Sequence, residues 1–195
     1  MTRAVVFDLD GVLIRSEEVW DRVRERYVRE RGGRYDGEVQ RAMMGMSSPE
    51  WSRYLHEEAG VPDAPQAIAA EVVSRMLAAY HEELPLLPGA VEAVRRTATL
   101  APLAECFRVT LSSEEGVRGK PAPAVYLEAA RRLGVPPDEC AAVEDSHSGI
   151  RSARAAGMRV IAIPNPSYPP DEEALAEADA TIGSLAELTA ATLGL

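Results

Sequence analysis

The chain has 195 residues, 46% hydrophobic and 27% charged, which places it among globular proteins and allows one good core plus a smaller satellite unit. Its formal charge of -10 argues against general binding to nucleic acid or to anionic membranes, both of which call for a basic surface. The same charge repels phosphate esters, so a phosphate site in this chain requires local cations or a metal. No apolar run approaches membrane-spanning length, and the N-terminus goes straight into a strand without a signal peptide. Two cysteines, Cys106 and Cys140, stand in no motif spacing, which predicts reduced core thiols and a cytoplasmic protein.

In chain order, Val5-Val6-Phe7 predicts an apolar strand that runs into Asp8-Leu9-Asp10 and a turn at Gly11. Val19, Trp20, Val23, Tyr27 and Val28 then recur at helical steps, with Arg22, Arg26 and Arg29 on a solvated face, until Gly32-Gly33 stops the helix. Ser48-Pro49 predicts the next helix start, with Ser48 as the cap and proline in the first turn. A third helical stripe carries Ile68, Val72, Val73, Met76, Leu77 and Tyr80. Residues 15–85 therefore read as a small all-helical cap that interrupts a strand pattern formed by residues 1–14 and 86–195.

Strands and helices alternate again from Leu86. The pattern predicts a helix from Ala90 to about Leu100, a strand over Phe107 to Ser112, and a helix from Ala122 to Leu133 stopped by Gly134. A buried strand at Ala141-Ala142-Val143 delivers Glu144-Asp145, followed by a helix from Ser148 to Ala156 and a strand from Met158 to Ile163. A proline-rich loop from Pro164 to Pro170, an edge strand at Ala180-Thr181-Ile182 and a terminal helix complete the chain. This alternation predicts an α/β fold, a Rossmann-like parallel sheet with helices on both faces plus the helical cap. Ligands of such sheets gather at the strand C-terminal ends, where Asp8, Asp10, Glu144 and Asp145 fall.

At a strand end the turn can redirect one of two alternate side chains, so Asp8 can attack a substrate while Asp10 reaches the leaving group. A plain strand-end turn is the simpler alternative for an Asp and a Gly. Four carboxylates on one sheet edge repel each other unless a cation sits among them, and oxygen ligands favour magnesium. Glu144-Asp145-Ser146 is also what a helix N-terminus selects through capping and the macrodipole. Lys120, held between Gly119 and Pro121, can neutralise a phosphoryl oxygen and a nucleophilic carboxylate together, although the tripeptide alone would read as a surface turn.

Taken together, Asp8-Leu9-Asp10-Gly11-Val12-Leu13, Gly119-Lys120-Pro121 and Val143-Glu144-Asp145-Ser146, continuing through Gly149-Ile150 to Ala155-Ala156-Gly157-Met158, resemble the haloacid dehalogenase superfamily. The resemblance is to its branch of phosphatases and β-phosphoglucomutase-like enzymes with a helical cap. It implies phosphoryl transfer to Asp8, protonation of the leaving alkoxide by Asp10, and hydrolysis of the aspartyl-phosphate by water that Asp10 activates. It also implies magnesium held by the Asp8 carboxylate, the Asp10 backbone carbonyl, Asp145 and Glu144, with Lys120 as the neutralising cation. The second acid favours phosphate esters, because a halide leaving group needs no proton. The implied partner is a small phosphorylated metabolite, and the implied assembly is a monomer or small homo-oligomer.

The chain also departs from that pattern. Arg15 stands where relatives carry Asp before Ser16-Glu17. Trp20 occupies the position of the mutase histidine, and Gly45-Met46-Ser47-Ser48 lacks the mutase arginine, so hydrolysis is favoured over sugar phosphomutase activity. No apolar strand ending in Ser or Thr lies between the Arg95-Arg96 helix and Phe107, where relatives place the hydroxyl that binds the transferring phosphoryl group. A strand, a helix and their turns, roughly 20 residues, are missing. Two outcomes are expected: a chain break near Arg96 and Thr97, which is preferred, or a Phe107–Ser112 strand moved in beside Val5 to Asp8, bringing Ser112 or Ser113 to the phosphate position. The alternative to an active phosphatase is a related protein whose incomplete core leaves little or no activity.

Overall fold

The computed structural model describes residues 1–43, 46–100, 107–112, 118–166 and 169–195, the side chains of 98–100 aside. In chain order the elements are β1 (Ala4–Phe7), α1 (Ser16–Glu30), α2 (Gly37–Ala42), α3 (Ser48–Glu57), α4 (Pro65–Glu82), α5 (Ala90–Leu100), α6 (Ala124–Leu133), β2 (Cys140–Glu144), α7 (His147–Ala155), β3 (Arg159–Ala162), α8 (Glu172–Ala176), β4 (Ala180–Thr181) and α9 (Ala190–Leu193). Two compact units result, one of Met1–Ile14 with Leu86–Leu195 and the other of Arg15–Pro85.

The first unit is built on a parallel sheet in the order β1-β2-β3-β4. Its registers pair Phe7 with Val143 and Glu144 with Ala162, so the ends of β1 and β2 that carry the acids lie side by side. Side chains alternate between two cores. Ala4, Cys140, Ala142, Val160 and Ala162 join Tyr126 of α6 and Ile150 and Ala153 of α7 on one face. On the other, Ala141, Val143 and Ile161 pack with Val12, Leu13, Ala90 and Ala93. Each strand must therefore be apolar on both sides, which is why β2 is buried throughout and reads as a continuous run rather than as an alternation.

The second unit is all-helical. Val19, Val23, Tyr27 and Val28 of α1 meet Trp51 and Leu55 of α3 and Ile68, Val72 and Met76 of α4 in a single core. On the outer face of α1, Arg26 pairs with Glu30 at 3.0 Å and Arg29 with Glu25 at 2.8 Å. Such exposed pairs are worth less than about 1 kcal/mol each. The cap of α3 is Ser47 and not Ser48. The Ser47 backbone N–H and hydroxyl both donate to Glu50 Oε2, at 2.7 and 2.6 Å, and this places the proline one residue further into the first turn than the Ser48 reading does.

Two further expectations are corrected. Phe107–Ser112 is not a strand: none of these residues belongs to a strand among the described residues, and Phe107 is 54% exposed. A strand is stable only when paired and half-buried. Among the described residues β1 pairs with β2 alone, so Phe107–Ser112 has not moved in beside Val5 to Asp8. Nor does the chain break near Arg96 and Thr97. Helix α5 runs through both, with the Thr97 hydroxyl donating to the Ala93 carbonyl at 2.5 Å and Arg96 donating to the carbonyls of Leu185 and Leu188. Ser113 and Cys106 lie outside the described residues, whereas Cys140 is a buried free thiol as expected.

Candidate active site

Asp8 follows β1 directly, and its backbone N–H continues the ladder by donating to the Val143 carbonyl at 3.0 Å. The chain then turns sharply, with Gly11 N–H donating to Ile14 O, and Leu13 and Ile14 N–H donating back to Leu9 O. Gly11 has φ +79°, a conformation that favours glycine, and a Cβ there would lie 1.9 Å from Asp145 Oδ2. The turn is thus shaped by the acid that β2 delivers. Asp10 is exposed on this turn.

Lys120 joins the two strand ends. Its ammonium donates to Asp8 Oδ1 at 2.8 Å and also to Glu144 Oε1. Glu144 is fully buried, a position that is tolerable for a carboxylate only with charge and hydrogen-bond compensation. Both of its oxygens are engaged. Oε1 also accepts from the Tyr126 hydroxyl at 2.5 Å, and Oε2 accepts from the backbone of Asp145 at 3.2 Å and from the Ser146 hydroxyl at 3.2 Å. Ser146 in turn caps α7 by accepting from Gly149 N–H at 3.1 Å.

The electrostatics follow from this packing. Burial raises the Asp8 pKa to about 6, reinforced by the Glu144 charge and opposed by Lys120. For Lys120, burial works against the ammonium, but the charges of Glu144 and Asp8 outweigh it and the pKa rises. Tyr126 is pushed well above its ordinary value by burial and by Glu144, so its hydroxyl stays a donor.

Oxygens of Asp8, Glu144 and Asp145 lie within 4.8 Å of one another, the one such cluster among the described residues. All of these donors are hard oxygens, and Lys120 pairs with Asp8 and Glu144 while a third carboxylate, Asp145, lies beside them, so the set fits a hard divalent cation. Within the set, Glu144 is occupied by Lys120 and Tyr126, whereas Asp8 keeps a second oxygen beyond the one facing Lys120. Of the residues expected from sequence, the structure brings Asp8, Lys120, Glu144 and Asp145 together and places Asp10 on the adjoining exposed turn. Tyr126 was legible only as part of an apolar helix face, because nothing in the sequence announces a phenol aimed at a buried acid.

Comparison with known families matches residues 2–101 and 93–157 to the hydrolases described as haloacid dehalogenase-like. The chain belongs to the haloacid dehalogenase-like hydrolases. Among curated relatives of this hydrolase, hexitol phosphatase B of Escherichia coli K12 is 32% identical over 216 aligned residues, covering 97% of this chain and 96% of that protein. A bifunctional riboflavin kinase/FMN phosphatase of Arabidopsis thaliana is 29% identical over 217 aligned residues, covering all of this chain and 56% of the longer relative. The crystal structure of CbbY from Rhodobacter sphaeroides in complex with phosphate superposes with a TM-score of 0.86 at 28% identity, with full coverage of both chains. The alignment of 217 positions to a chain of 195 leaves positions of the relative without a counterpart. The two family matches overlap on 93–101.

Proposed function

We propose that this hydrolase is a magnesium-dependent phosphatase that cleaves a small phosphorylated metabolite, of the sugar, polyol or nucleotide phosphate kind that its relatives' names describe, through an aspartyl-phosphate on Asp8. The observation that carries this reading is the shared ammonium of Lys120, held between Asp8 and a buried, fully engaged Glu144, with Asp145 alongside. In the first step an Asp8 carboxylate oxygen attacks phosphorus, the ester P–O bond breaks, and Asp10 gives its proton to the departing alkoxide. In the second, Asp10 removes a proton from water as the water oxygen attacks phosphorus, and the bond from phosphorus to Asp8 breaks to release inorganic phosphate. Lys120 offsets the negative charge shared by Asp8 and the phosphoryl oxygens throughout. Asp8, Asp145 and the Asp10 backbone carbonyl would hold magnesium, with Glu144 as a further acid at the site that also fixes Lys120. When bound, the cation supplies additional positive charge to the carboxylates and the phosphoryl group.

The protein acts in the cytoplasm as a monomer or small homo-oligomer in this reading, without nucleic acid or membrane partners. No helix among the described residues is long and apolar enough to cross a membrane. Trp20 in place of a histidine in α1 favours hydrolysis over phosphoryl transfer between sugar hydroxyls. The decisive experiment is turnover of an aryl phosphate with magnesium by the unmodified chain and by Asp8→Asn. Turnover lost in the folded variant supports the reading, and equal turnover by both proteins overturns it. A second reading, a core too short for activity, rests on the strand and helix that the sequence lacks between Arg96 and Phe107; it is the correct one if the unmodified chain, folded and metal-loaded, turns over nothing.

A further inference from the structure

The helical unit of Arg15–Pro85 contains a half-buried cation that the chemistry above does not use. Arg24 lies on α1 between Trp20 and Trp51, with its guanidinium carbon 4.7 Å from the centroid of each indole. The two rings meet edge to face at 6.2 Å and 63°, and Trp51 is among the largest fully buried side chains. Arg24 itself is half-buried, and its Nε has no hydrogen-bond partner among the described residues. Asp21, whose charge acts on Arg24, already accepts from the Tyr35 hydroxyl at 2.6 Å.

This arrangement is incomplete as packing alone. Cation–π contact offsets part of the cost of burying a guanidinium, at roughly 0.5–2 kcal/mol per face. It supplies none of the in-plane hydrogen bonds, and an orphaned buried donor costs about 1–3 kcal/mol. Burial lowers the Arg24 pKa, but an arginine keeps its charge at neutral pH. Elsewhere on α1 the arginines find carboxylates, Arg26 with Glu30 and Arg29 with Glu25. Arg24 has a fixed plane and a retained charge, and no carboxylate within ion-pair distance among the described residues. Two indole faces hold the fork rigid, so the ordering entropy that a ligand would otherwise have to overcome is already spent.

We infer that Arg24, clamped between Trp20 and Trp51, is an oxyanion-binding site of the helical unit, taking a phosphate or carboxylate group on the edge of its guanidinium. Bidentate pairing of either group with the two terminal nitrogens gives the guanidinium in-plane hydrogen bonds that the indoles cannot supply. The site is independent of the Asp8 chemistry, and it stands whether or not that carboxylate is the nucleophile.

Trp20 and Trp51 are the two tryptophans of the chain, so its indole emission reports on this site. The test is titration of the full-length protein with inorganic phosphate and, separately, with acetate, at constant ionic strength, read by tryptophan emission. A saturable change with either anion is expected, and which anion produces it identifies the group that the site takes. Arg24→Met should weaken that binding by about tenfold or more, the worth of a charge-assisted pair. Lys120→Ala should leave it unchanged, which separates this site from the strand ends. Absence of a saturable response to both anions overturns the inference, as does a response that survives in Arg24→Met or disappears in Lys120→Ala. If Arg24→Met does not fold, Arg24→Lys decides: it keeps the charge without the fork, so affinity should fall, and undiminished affinity overturns the inference.

Discussion

Glu144 reaches its buried place only because residue 149 is glycine: a Cβ at Gly149 would lie 1.9 Å from Glu144 Oε2. The first turn of α7 therefore closes directly over a carboxylate, and the same glycine N–H is taken by Ser146. Gly149→Ala must displace the acid or the helix, so it should lower stability by about 1–3 kcal/mol, the usual cost of an overpacked core. It should also loosen Lys120. A thermal melt alongside turnover checks this, and a variant that melts and turns over like the parent would show that the carboxylate has room the structure does not give it.

Asp10→Asn should discriminate between leaving groups. An alkoxide needs a proton from Asp10, whereas a phenolate of low pKa departs with little help. We expect a fall of about 100-fold or more with an alkyl phosphate and a much smaller one with an aryl phosphate, within the usual range of general acid catalysis. Parallel kinetics on the two substrates measure the difference, and equal losses would remove Asp10 from the proton-transfer step.

Magnesium should bind with one-to-one stoichiometry to chelator-treated protein and raise its melting temperature, because a ligand of the folded state stabilises it by mass action. Asp145→Ala should weaken that binding by an order of magnitude or more. Isothermal titration reads both proteins, and wild-type heats in the variant would place the ion elsewhere.

Cys140 supplies a pH dependence. Burial, followed by the charges of Asp138 and Glu139, pushes its thiol from 9.0 to about 11. The folded chain thus holds this proton more tightly than the unfolded chain. Its contribution to stability is fully present below pH 9 and is lost as pH rises through about 11. Alkylation of Cys140 in native protein at pH 8 should therefore be slow and should accelerate sharply on addition of denaturant. Mass spectrometry of the peptide carrying Cys140 distinguishes it from Cys106, and equal labelling with and without denaturant would contradict its burial.

Much of this architecture was legible because its physical causes are local. The apolar residues of α1 recur at helical spacing and Val19, Val23, Tyr27 and Val28 are buried, whereas on α4 Ile68, Val72 and Met76 are buried but Val73 and Leu77, read onto the same stripe, face solvent. Likewise, β2 is an unbroken apolar run because helices cover both of its faces. Asp8, Lys120, Glu144 and Asp145 were recognisable because acids at strand ends, with a lysine between a glycine and a proline, have few structural explanations together. What was not legible depends on partners distant in sequence. Phe107–Ser112 has strand-like composition, but a strand exists only against a neighbour, and composition cannot tell whether the neighbour is there. Nothing in the sequence singles out Arg24, because Trp51, which it contacts, comes from another helix. Ser47 and Ser48 are equally good caps by type, and only the reach of Glu50 separates them.

Strand β1, four residues long and ending at Asp8, is bonded on one side only among the described residues. A parallel strand with an open border presents alternate amides and carbonyls to whatever extended chain comes near, and Val5, Val6 and Phe7 are only partly covered. Its shortness limits how firmly a stray chain can attach, and mutual repulsion between molecules of charge -10 keeps them apart in dilute buffer. Salt screens that repulsion, so the concentration that this hydrolase tolerates in solution should fall as ionic strength rises.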